Sequence, residues 1–245
     1  MNRVSVIISS YNQKTRLKHC LDSACAMKTD FADDLEIIVA DDHSTDGSIE
    51  LIEQYPVKLS LCDVDNKSKY TLTRNWNHAV KTHVTGDRVL FTNGDHVLTP
   101  RFADHHADPV FENNIIFGPG YQTRPQVIDH LHLNYKQLMT VCEQEGLLLP
   151  DRHVEGSAMT YNKQWTSDFP YGYNFSITTD HFNDVNGFTE KESWGDEERL
   201  LCDKVLNMYP DVKILSNRNS VVIHLYHTPH NLMNRHTGAL SEYAF

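Results

Sequence analysis

Three short polar segments, each directly after an apolar run, hold side chains that could do chemistry: Ser9-Ser10-Tyr11-Asn12, Asp41-Asp42 and Asn93-Gly94-Asp95. A fourth group, Asp196-Glu197-Glu198, opens an amphipathic stretch, and His224-Leu225-Tyr226-His227 ends a β-branched one. Carboxylates and imidazoles can hold a cation or move a proton. Ordinary local chemistry explains each group at least as well when it is taken alone. Asp, Ser and Gly are common where a strand hands over to a helix, and acidic side chains in a first helical turn offset the helix dipole. Fifteen histidines include His105-His106, His130/His132 and His227/His230, which invite a zinc-hydrolase reading. None has H-E-x-x-H or a comparable helical ligand pair, so they read as surface or packing residues.

The elements that must position these residues alternate. Residues 4–9 form a continuous β-branched run, as in a strand buried on both faces. Leu17, Cys20, Leu21, Ala24 and Cys25 recur at helical spacing, and residues 35–40 make a second buried strand. A short helix through Ile49 and Ile52, a strand at 57–61, a helix from Leu72 to His83 and a strand at 88–92 follow. This predicts an α/β fold, a mostly parallel sheet with helices on both faces, whose ligands gather at the carboxyl ends of the strands. The three polar segments should then converge on one crevice. The second half is less regular. Residues 127–149 read as helix, 150–172 as loop, 180–185 and 196–208 as helices, and 212–215 and 220–226 as strands.

Composition narrows the function. Hydrophobic residues make up 40% and charged residues 22% of 245, an ordinary globular balance. Against 22 Lys+Arg stand 33 Asp+Glu, a formal charge of −11 that argues against a nucleic-acid partner. No run of about 18 apolar residues predicts a transmembrane helix, and the N-terminal apolar stretch is too short for a signal peptide. Five cysteines without a C-x-x-C pair fit reduced thiols in a cytoplasmic protein.

In order, Val4-Ser5-Val6-Ile7-Ile8-Ser9-Ser10-Tyr11-Asn12, Val39-Ala40-Asp41-Asp42-His43-Ser44-Thr45-Asp46-Gly47-Ser48, Arg74-Asn75-Trp76-Asn77, Gly86-Asp87 and Phe91-Thr92-Asn93-Gly94-Asp95 resemble the family 2 glycosyltransferases of the GT-A fold. The likeness covers about the first hundred residues, far more specific than any single motif. It implies a nucleotide-sugar donor and a divalent manganese or magnesium ion. Tyr11 would pack on the base, Asp42 would accept from a uracil N–H, Arg74 would lie near the diphosphate, and Asp95 would ligate the metal. Ser9, Asn93 and Gly94 belong to the same expected donor site. Asn93 stands where the family has the first Asp of Asp-x-Asp, which leaves Asp95 as the essential member.

Asn174-Phe175-Ser176, Val185-Asn186-Gly187-Phe188 and Trp194-Gly195-Asp196-Glu197-Glu198 are similar to the C-terminal module of galactosyltransferases and polypeptide N-acetylgalactosaminyltransferases. There the likeness makes Glu198 the general base of an inverting transfer, with Glu197 next and Asp196 third. A histidine after the last core strand would complete the metal site; His224 is the first choice and His227 its competitor. Trp165, Tyr173, Asn174, Trp194 and Gly195 are the expected acceptor contacts, aromatic faces being suited to sugar rings. The likeness divides the chain into a nucleotide-sugar half, 1–100, and an acceptor and catalytic half, 101–245. A glycan or lipid-linked glycan is the expected acceptor, with peripheral contact at the inner membrane face. Three other readings share these features: an inactive nucleotide-sugar or glycan-binding protein, motivated by Asn93; a transferase acting on a modified DNA base; and a nucleotidyltransferase, which lacks its glycine-rich phosphate loop between Ser9 and Arg16.

Overall fold

The computed structural model describes residues 3–30, 34–63, 71–150, 173–191 and 195–227. In chain order they form β1 (Arg3–Ser10), α1 (Lys14–Cys25), β2 (Asp34–Asp41), α2 (Ser48–Ile52), β3 (Lys58–Leu61), α3 (Leu72–His83) and β4 (Arg88–Asn93). Next come β5 (His96–Leu98), α4 (Phe102–Ala107), β6 (Ile115–Phe117), β7 (Gly120–Thr123), α5 (Tyr135–Gln144) and β8 (Leu148–Pro150). The last are β9 (Asn174–Thr178), α6 (Thr179–Asp184), α7 (Glu197–Met208), β10 (Ile214–Ser216) and β11 (Val222–His224).

The α/β expectation holds. A seven-stranded sheet runs β10-β6-β9-β4-β1-β2-β3, parallel except for β9, which lies antiparallel between β4 and β6. Because strand side chains alternate in direction, β1 serves two cores at once. Val4, Val6 and Ile8 pack with Leu17 and Leu21 of α1, while Ile7 packs with Trp76 and Val80 of α3. All of these but Val80 and Trp76 are fully buried, and each such side chain contributes about 1.5–3 kcal/mol of transfer free energy. On the α3 side the rings of Trp76, Phe91 and Phe175 follow one another, with centroids 5.2 and 4.9 Å apart.

The register decides where the polar segments go. Ser10 pairs with Asp41 and Ser9 with Asn93, so the carboxyl ends of β1, β2 and β4 finish side by side. A second sheet, β5-β11-β7-β8, begins with the strand that follows β4 in the chain. In it β11 runs antiparallel to β5 and places His224 opposite His96.

The second half departs from the sequence reading. Residues 127–149 are not one helix: a 3-10 turn, Pro125–His130, precedes α5, and β8 follows it. Asn134 starts α5 with a capping box to Gln137, and Gly146, at φ +63°, ends that region. Strands β5, β6, β7 and β8 are three or four residues long, too short to print a period on the sequence.

A buried polar knot ties the two sheets. The Asn174 amide donates to the carbonyls of Pro119 and Ser220, at 3.1 and 2.7 Å, and its oxygen lies 2.9 Å from His106 Nε2. His106 Nδ1 meets Ser176 Oγ, which also accepts from Arg88, both at 3.0 Å. Gly118 is where the strands cross most tightly; a Cβ there would lie 2.0 Å from the Ser220 carbonyl oxygen and 2.4 Å from Asn174 Nδ2. Gly118→Ala is therefore expected to lower unfolding stability by about 3 kcal/mol, read from urea denaturation; an unchanged midpoint would refute this packing.

Candidate active site

The turns after β1 and β2 are laced together by backbone donors and side-chain acceptors. Asn12, held at φ +47°, donates its N–H to Ser44 Oγ and accepts the Thr45 N–H, at 2.8 and 2.7 Å. Lys14 N–H, opening α1, donates to Asp46 Oδ2 at 2.8 Å. Of the acidic doublet, Asp41 is fully buried and spends its carboxylate on Ser44, accepting from the backbone N–H and the hydroxyl at 2.7 Å each. Asp42 is half-buried and accepts from the Thr71 hydroxyl at 2.6 Å. Tyr11 stands exposed beside them.

Asp95 lies at the end of β4, 7% exposed. Its Oδ2 is 3.3 Å from His224 Nε2 and 3.2 Å from His227 Nε2, and those two nitrogens are 3.2 Å apart. The pairing of β11 with β5 builds this closed triangle, and the Leu225 N–H fixes its register by donating to the Asp95 carbonyl at 2.9 Å. Burial pushes the Asp95 carboxyl up, but the hydrogen bonds from His224 and His227 outweigh it and hold the group well below the usual carboxylate range. The other oxygen, Oδ1, is buried without a hydrogen bond, 3.6 Å from His96 Nε2. His96 is itself fully buried. Its Nδ1 accepts from the Asn93 N–H at 3.2 Å and lies 2.9 Å from the Thr92 hydroxyl, so the ring proton sits on Nε2 and faces Asp95. Burial brings the His96 pKa down to about 3, which keeps the ring neutral.

The three ligand atoms fit a divalent cation. Neighbouring ligands around an ion with bonds of about 2.0–2.2 Å stand roughly 3 Å apart, close to the edges of this triangle. An unsatisfied carboxylate oxygen at its back is the kind of buried polar atom that otherwise needs an explanation. Tyr173 lies nearby with its ring tilted, the centroid 5.0 Å from His96 and 6.4 Å from His224.

Other expected site residues lie elsewhere or are engaged. Ser9 Oγ donates to Asn93 Oδ1 at 2.7 Å, so the two are bound to each other across β1 and β4. Gly94 lets α1 approach the turn, since a Cβ there would meet Gln13 Nε2 at 2.5 Å and Leu17 at 3.0 Å. Arg74 is half-exposed and paired with Glu190 at 3.2 Å. Asn174, expected among the acceptor contacts, is fully buried with its amide spent inside the knot. Trp165 and Trp194 lie outside the described residues.

The acidic group at α7 divides its labour. Asp196, at φ +65°, pairs with Arg199 at 3.0 Å. Glu197 is buried and accepts the Gly195 N–H at 2.8 Å, closing the turn that leads into the helix. For Glu198, burial pushes the carboxyl up to about 7; its own backbone N–H opposes the shift, and Glu197 and Asp196 add to it. Residues the sequence did not single out are Thr71, His96 and Arg16. His96 directly follows the Asn93-Gly94-Asp95 segment, a positional signal; nothing in the type or place of Thr71 and Arg16 set them apart.

With that geometry in view, comparison with known proteins decides the family. A family model described as "Glycosyl transferase family 2" matches residues 5–184, well over half of the chain. The chain belongs to glycosyl transferase family 2. Among family-named relatives, the putative glycosyltransferase EpsE of Bacillus subtilis is 32% identical over 101 residues, 40% of this chain and 35% of that protein. The curated relatives are thus matched over at most about a third of their own length. Among solved structures, S. aureus TarS 1-349 in complex with UDP superposes with a TM-score of 0.63 at 16% identity, over 91% of this chain and 60% of that one. GalNAc-T7 with UDP, GalNAc and Mn2+ gives 0.67 at 15% identity, over 93% and 44%. These likenesses establish the GT-A fold. No helix among the described residues of this family 2 member is long and apolar enough to cross a membrane.

One consequence of the Glu198 environment can be measured without any substrate. A carboxyl whose folded-state pKa lies above its ordinary value, here about 7 against 4.5, costs stability as the pH rises through that window. Glu198→Gln should therefore melt higher than the wild type by roughly several degrees at pH 8, with the gap closing near pH 4. A lower melting point for the variant at pH 8 would contradict this environment.

Proposed function

We propose that the chain is a metal-dependent, inverting glycosyltransferase that moves a sugar from a UDP-sugar to an acceptor hydroxyl. The observation that carries this reading is the closed Asp95–His224–His227 triangle at the end of β4, in a sheet whose register brings it beside the β1 and β2 turns. One carboxylate and two imidazoles favour manganese over magnesium, which prefers oxygen ligands throughout.

Tyr11 offers its exposed ring to the base, and Asp42, oriented by Thr71, accepts from a uracil N–H. Asp95, His224 and His227 would hold the divalent cation, with His96 behind the carboxylate. When bound, such an ion supplies charge neutralisation to the donor's phosphates and to the departing nucleoside diphosphate. Glu198 takes the acceptor proton; a base with a pKa near 7 is half-ionised at neutral pH yet basic enough to accept it. Tyr173 and Gly195 are the acceptor contacts of this reading among the described residues; Trp165 and Trp194, expected beside them from the sequence, lie outside those residues. Glu197 shapes the turn that presents Glu198. A galactose- or N-acetylgalactosamine-type sugar and a glycan or lipid-linked glycan acceptor, met at a membrane face, are the proposed substrates. Residues 1–100 serve the donor and 101–245 the acceptor and the chemistry.

Release of nucleoside diphosphate from UDP-, GDP- and dTDP-sugars, with manganese and with chelator, tests the proposal. Manganese-dependent UDP release is expected, falling about 10²–10⁴-fold in Glu198→Gln while UDP affinity stays unchanged. Donor binding without release across a broad acceptor panel would overturn it.

A further inference from the structure

Arg16 occupies the first turn of α1 and has no ion pair or hydrogen bond among the described residues. It stands three residues after Gln13, hence on the same side of the helix, and one before Leu17. Gln13 and Leu17 are the two side chains that close on Gly94, so this face of α1 rests on the Gly94-Asp95 turn. Arg16 is only half-exposed, and its Nε is buried without a partner. Burial lowers the basicity of its guanidinium, and the charges of Asp95 and Asp46 oppose that loss.

Neither neighbour satisfies it. Asp46 gives Oδ2 to the Lys14 N–H and Oδ1 to Ser48, and Asp95 turns Oδ2 toward the two histidines. A partly buried guanidinium without an acceptor is costly, and its five donors suit a phosphate's oxygens. Arg74, by contrast, is already paired with Glu190. We propose that Arg16 is a donor-phosphate residue, which reaches from α1 over the Gly94-Asp95 turn to the diphosphate of the nucleotide sugar. The assignment rests on the donor reading above and adds a fixed positive charge to the site, independent of any metal.

Titration calorimetry with UDP, in manganese and in chelator, tests it on the wild type, Arg16→Met and Arg16→Lys. Uridine, followed by saturation-transfer NMR, is the phosphate-free control. Arg16→Met should bind UDP about ten- to a hundredfold more weakly in both conditions, with uridine unchanged and Arg16→Lys intermediate. UDP affinity equal to wild type in Arg16→Met would overturn the assignment. So would loss of uridine and UDP together, which would make the residue structural. A wild-type protein that binds neither UDP nor GDP would remove the donor reading itself, before any variant is compared.

Discussion

A buried carboxylate has to be answered by its surroundings, and in this protein the answer comes from a distant strand. Asp95, shielded at the end of β4, would be costly to keep ionised alone. His224 and His227 arrive more than a hundred residues later in the chain to face it, with His96 behind. Much of the second sheet exists, in effect, to deliver them. The β5–β11 pairing sets His224 opposite His96, and β7 braces β11 from the other side. A one-residue slip of β11 would turn His224 to the opposite face.

The large sheet imposes the complementary constraint. Parallel pairing of β1 with β2 and β4 forces three carboxyl ends to one edge, and the turns there secure one another through Asn12, Ser44, Asp46 and Lys14. Those bonds consume Asp41, Asp46, Ser9 and Asn93 as structure. Tyr11, Asp42 with its bond from Thr71, and the Asp95 triangle stand at the same edge. Glu198 belongs to a different element, the first turn of α7, where Glu197 bonds back to Gly195 and leaves its neighbour in a poorly solvated place.

The first half of the fold was legible because its strands are long and β-branched and its helices carry a clear apolar stripe. β1, β2, β4, α1 and α3 all follow from that patterning. The second half was not, since β5 to β8 are too short for a period and α5 is set by the Asn134 cap and the Gly146 stop. Motif likeness pointed to Asp95, His224 and His227, whereas Arg16 is invisible to it: only packing shows that α1 rests on Gly94 and leaves a guanidinium unanswered. Asn174 shows the opposite limit. A polar residue in a recognisable motif reads as a ligand contact until the structure shows its amide bonded to two backbone carbonyls.

Asp95, His224 and His227 are proposed to hold a divalent cation together at the donor site. Electron paramagnetic resonance of Mn2+, titrated with the protein in the presence of UDP, reads ion binding directly. The free-ion signal should fall on adding the wild-type protein and persist with Asp95→Asn, an isosteric change that removes only the charge. Equal Mn2+ binding by the two proteins would contradict it.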